Sequence, residues 1–93
     1  MADSGFKGKS MKAVAVDVAD GLISVNPLFL KKFDDQMIKS LNEYLGKTMT
    51  VVRNEQVPVN DPPAMRKRSL KLQRLNNALI ILKNIAREKR IRL

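Results

Sequence analysis

Three features of this sequence predict a small all-α protein. Apolar residues recur at helical spacing over residues 27–45 and again over about 62–90, with a less decided stripe over 11–23. The two clear stripes each open on a polar residue followed by proline, Asn26-Pro27 and Asp61-Pro62, which is a helix-start signature. A chain of 93 residues, 44 % hydrophobic and 29 % charged, has the composition of one folded domain. The expected architecture is a bundle of two or three helices within residues 11–93, in which 27–45 packs against the leucine face of the last helix. Residues 1–10, small, polar and glycine-containing, are expected to form a mobile leader. The alternative is an α+β fold with short hairpins at 12–25 and 48–59.

The first element is the ambiguous one. As a helix, Met11, Val14, Ala15, Val18 and Leu22 form one stripe; as a strand, Val14, Val16 and Val18 share a face and Asp20-Gly21 offers a turn. The alanines tip the choice to helix. In the second element Asn26 is the N-cap, Pro27 the first helical residue, and Val25 and Leu30 occupy the positions of a hydrophobic staple. Its stripe is Leu30, Phe33, Met37, Leu41 and Tyr44, widened by Phe29, Ile38 and Leu45, and Gly46 is the expected stop. Thr48, Thr50, Val51 and Val52 then suit an extended stretch or a linker, and Pro58 excludes a central strand nearby.

The last helix starts at Asp61-Pro62-Pro63, with Ser69 as a competing cap. Leu72, Leu75, Leu79, Leu82 and Ala86 recur at spacings of three and four and mark a core or partner-helix interface. With few aromatics to fill a core, that stripe is expected to be incompletely covered in one chain, so a homodimer is expected. The opposite face holds the neutral amides Gln73, Asn76, Asn77 and Asn84, with Ile80 among them.

Composition narrows the chemistry. There is no cysteine and no histidine, so disulfides, thiolate sites and the usual zinc and haem ligand sets are excluded, as is the commonest general base. Gly8-Lys9-Ser10 does not make a phosphate-binding loop, because Asp3 stands where the first glycine is required. Asp34 and Asp35 diverge on a helix and are no catalytic pair; Asp17 and Asp20 share a face only if their segment is helical. No catalytic residue, metal site or cofactor is expected, and the chain reads as a non-enzyme. The N-terminus is a poor secretory signal and no apolar run spans a bilayer, so a cytoplasmic or nuclear, non-secreted protein is expected.

Charge is the informative quantity. The net charge is +9, yet residues 1–46 carry six Lys and six acids. Residues 61–93 carry four Lys and six Arg against Asp61 and Glu88, a net of +8. On the last helix the cations form two end clusters, Arg66, Lys67, Arg68, Lys71 and Arg74, then Arg87, Lys89, Arg90 and Arg92. Their centres lie about 30 Å apart on a continuous helix. The second cluster suits the negative end of the helix dipole; the first opposes the positive end, which hints at a bound polyanion. No aromatics interleave with these cations, so base stacking is not expected and contact should be to phosphate. The expected function is an accessory protein binding the backbone of DNA or RNA. The alternative is an assembly subunit, adaptor or regulator docking on a partner protein through the apolar faces of its helices; the expected partner is thus nucleic acid backbone or an acidic protein.

Overall fold

A computed structural model describes residues 10–93, which hold four helices and no strand. They are α1 (Met11–Ala19), α2 (Pro27–Leu30), α3 (Asp35–Arg53) and α4 (Pro62–Glu88). The all-α bundle is therefore the fold. The hairpins considered at 12–25 and 48–59 are helix or loop instead. Most of the expected leader, 1–9, lies outside the described residues. Ser10 does not belong to it: its hydroxyl oxygen accepts from the Ala13 N–H at 3.2 Å and caps α1.

The β-branched residues of α1 do not make it a strand because its burial follows the helical period. Met11, Val14, Ala15, Val18 and Ala19 are buried while Lys12, Val16 and Asp20 face water. The helix ends at Ala19, earlier than the expected 23, and Gly21 turns the chain with φ +80°, where a side chain would be strained. Leu22 is left 74 % exposed rather than on the buried stripe.

The single helix expected at 27–45 is two. Asn26 caps α2 as expected, its side-chain oxygen accepting from Phe29 N–H at 2.8 Å. The chain leaves the helix at Lys31, and Asp34 starts a new one by accepting from Met37 N–H at 2.8 Å. The apolar stripe hides this break because Leu30, Phe33 and Ile38 are buried on both sides of it. Phe29 and Phe33 pack with ring centroids 5.1 Å apart across the junction.

Nor does Gly46 stop α3. The inward stripe Ile38, Leu41 and Leu45 continues through Met49 to Val52, so helical packing outweighs the roughly 1 kcal/mol helix cost of one glycine. Residues 47–53, part of the stretch read as extended or a linker, are the last two turns of α3. The loop 54–61 then reverses the chain, and α4 runs back along α3 and α1 as one helix of 27 residues. At 1.5 Å per residue it is about 40 Å long, which accounts for the longest dimension of 44 Å.

α4 begins where Asp61 caps Ala64 N–H at 3.2 Å, so Ser69 is an interior residue. It ends in a Schellman motif: Ile91 N–H donates to Ala86 O at 2.7 Å and Arg90 N–H to Arg87 O at 3.1 Å. Arg90 takes the left-handed position with φ +59°, and Ile91 is buried beside Ala86. The basic tail is thus joined to the core. Among the described residues no helix is long and apolar enough to cross a membrane.

Candidate functional site

The expected partner interface lies inside the chain. Leu75, Leu82 and Ala86 are buried in the common core, and Leu72 and Leu79 pack against it half-buried. The stripe is covered by α1, α2 and α3, which is more helical surface than a two-helix packing provides. The rest of α4 and its ends face solvent.

The structure divides the first basic cluster. The Arg68 guanidinium donates to the Val52 carbonyl at 3.2 Å and to the Arg53 carbonyl, so it caps the C-terminus of α3. Arg74 donates to the Ala19 carbonyl at 3.1 Å and lies against Gly21, where an added Cβ would sit 2.9 Å from the guanidinium carbon. It caps α1. Lys71 stands 4.0 Å from Glu55 in the α3–α4 loop, a distant pair in half-exposed surroundings. Arg68 and Arg74 thus sit on the negative ends of two other helices, while Lys71 faces an acid of the loop. Their apparent electrostatic cost is met by tertiary neighbours, and no bound polyanion is needed to explain them. Sequence carried no signal for this, since the partners lie 15, 16 and 55 residues away.

Arg66 and Lys67 remain exposed and make no ion pair among the described residues. At the other end Arg87, Lys89, Arg90 and Arg92 are exposed, and Lys89 is the C-cap residue. The free cations thus stand at both ends of α4, with exposed Lys83 between them. Between them two shallow clefts meet at Arg74. One, of about 460 Å³, is lined by Asp20, Lys67, Leu70, Lys71 and Arg74. The other, of about 350 Å³, lies between the α1–α2 segment and Asn77, Ala78 and Ile81. Gln73, Asn76, Asn77 and Asn84 are exposed, their side-chain amides hydrogen-bond to nothing among the described residues, and Ile80 in their midst is 51 % exposed.

Asp17 is half-buried on α1 and Asp20 is the exposed C-cap of that helix, and among the described residues no group of three or more acids is placed to hold a metal ion. The geometry defines a small helical protein with one long solvent-facing helix carrying free cations at its ends. No family pattern matches the chain, and neither a characterised protein nor a solved structure shows significant similarity to it.

Proposed function

We propose that this chain is a small non-enzymatic accessory protein that binds the phosphate backbone of DNA or RNA through α4. The observation that carries the proposal is the segregation of charge: a net of +8 on residues 61–93, with Arg66, Lys67, Arg87, Lys89, Arg90 and Arg92 all solvent-facing. Such a surface releases condensed counterions when it meets a polyanion, and that release favours binding at moderate salt. Arg68 and Arg74 are assigned to the fold rather than to phosphate. Cytoplasm or nucleus, where nucleic acid is found, is the proposed location.

A titration of duplex DNA at several salt concentrations tests this. Affinity is expected to fall by orders of magnitude between about 50 and 200 mM salt. Changing Arg66 and Lys67 together to Ala should lower the log–log slope by roughly two units, equally for unrelated sequences. An affinity that is flat with salt would remove the proposal.

The second reading is an adaptor or assembly subunit. It is supported by Leu22, 74 % exposed in the segment joining α1 to α2, and by Leu28, 78 % exposed on α2. Partner capture sensitive to Leu28→Asp but insensitive to salt would favour it.

A further inference from the structure

The proposed function accounts for the cations at the ends of α4 and leaves its middle unexplained. At about 100° per residue, Arg66, Gln73, Asn77, Ile80, Asn84 and Arg87 fall within about 45° of one line. That line runs opposite the buried Leu75, Leu82 and Ala86, and all six residues are exposed. No acid occurs between Asp61 and Glu88. A face that served only solubility in a chain 29 % charged would be expected to carry Lys and Glu, which also favour the helix more than Asn does. This one instead presents amides whose donors and acceptors are unused within the described residues, around one exposed branched aliphatic.

We infer that this face of α4 enters the major groove of duplex DNA and reads base edges at A·T pairs. The inference rests on the phosphate-binding proposal and deepens it. Matches of chemistry and of dimension support it. An Asn or Gln amide pairs with the N6 and N7 of adenine through one donor and one acceptor, and an apolar side chain such as Ile80 contacts the thymine methyl. From Gln73 to Asn84 the helix rises about 16 Å, close to five base-pair steps of 3.4 Å. Arg66 and Arg87 lie beyond the two ends of that stretch, where a straight helix leaves the curving groove and comes within reach of phosphates. A groove about 12 Å wide admits a helix, whereas the major groove of double-stranded RNA is too deep and narrow. The sequence-indifferent contact expected from composition thus becomes a sequence-selective one.

Selection from a duplex DNA pool with a randomised centre of about ten pairs tests the inference. The expected result is enrichment of a motif of about five pairs containing A·T, bound more tightly than a G·C-only duplex or double-stranded RNA. Replacing Gln73, Asn77 and Asn84 by Ala should reduce that preference by roughly tenfold for each base pair no longer read, with the salt slope unchanged. These positions are exposed, so thermal unfolding of the triple variant should show it folded. Steep salt dependence without enrichment, or a preference the triple variant keeps, overturns the base-reading inference while backbone binding stands. Absence of binding to the pool at about 50 mM salt overturns both.

Discussion

Arg68 and Arg90 look alike in the sequence, each a member of a basic cluster, yet they bear on stability in opposite directions. Arg68 satisfies carbonyls at the end of α3. Hydrogen bonds from a charged donor contribute about 1.5–3 kcal/mol each at most, and less where water competes. Arg68→Ala should therefore cost about 1–2 kcal/mol in urea denaturation, whereas Arg66→Ala and Lys67→Ala stay within about 0.5. Equal effects at the three positions would remove the capping role. Arg90 holds φ +59° at the position of the α4 terminus where glycine is usual. Arg90→Gly should stabilise by about 0.5–1 kcal/mol, because the left-handed conformation no longer opposes a Cβ. A fall in the denaturation midpoint would show that the Arg90 side chain stabilises the fold by more than that strain.

Gly21 and Gly46 show how an element decides what a residue means. Gly46 lies within α3, and apart from the neighbouring backbone of that helix no atom comes within 4 Å of where its Cβ would stand. Gly46→Ala should raise stability by about 0.5–1 kcal/mol, the helix-propensity difference, because nothing has to move. Gly21 has φ +80° and the Arg74 guanidinium against it, so Gly21→Ala should lower stability by about 1 kcal/mol or more and weaken the cap on α1. Thermal melts of both variants beside the parent check the opposite signs, and two shifts of one sign would contradict these assignments. The start signals Asn26-Pro27 and Asp61-Pro62 were legible because an N-cap acts on backbone groups three residues away. The stop at Gly46 misled for the complementary reason. A glycine ends a helix only if the chain beyond it has nowhere to pack, and Met49 and Val52 do pack.

For the molecule as a whole, the basic C-terminus is part of the folding unit. Sequence alone suggests that cutting after Ala86 removes charge and leaves the core. In the fold it also removes buried Ile91 and both Schellman bonds. Loss of a buried isoleucine side chain typically costs about 2–5 kcal/mol, a large share of the stability of a domain this small. The truncated chain should melt well below the parent in circular dichroism. An unchanged melting temperature would return the tail to a purely electrostatic role. The covered leucine stripe bears on self-association as well. Sedimentation is expected to return a 10.5 kDa monomer at micromolar concentration, and Leu79→Asp is expected to unfold the chain rather than split a dimer. A dimer that Leu28→Asp dissociates would shift attention to the exposed α1–α2 segment.

By itself, the sequence determined the helical class, the capped starts of α2 and α4, the burial of Leu75, Leu82 and Ala86, and the concentration of charge in the last third. Those properties depend on periodicity, on caps acting within one turn and on composition, all of which are local. Only the tertiary structure decided the break before Asp34, the passage of α3 through Gly46 and the fate of the first basic cluster. Leu30, Phe33 and Ile38 are buried on both sides of the break, and Val52 is buried beyond Gly46, so the stripe alone cannot place a break or a stop. Arg68 and Arg74 carry the same charge as Arg66 and Lys67, and they differ only in which helix end lies opposite. That neighbour is supplied by the packing of α1 and α3 against α4, because a helix terminus attracts a cation through space and not along the chain.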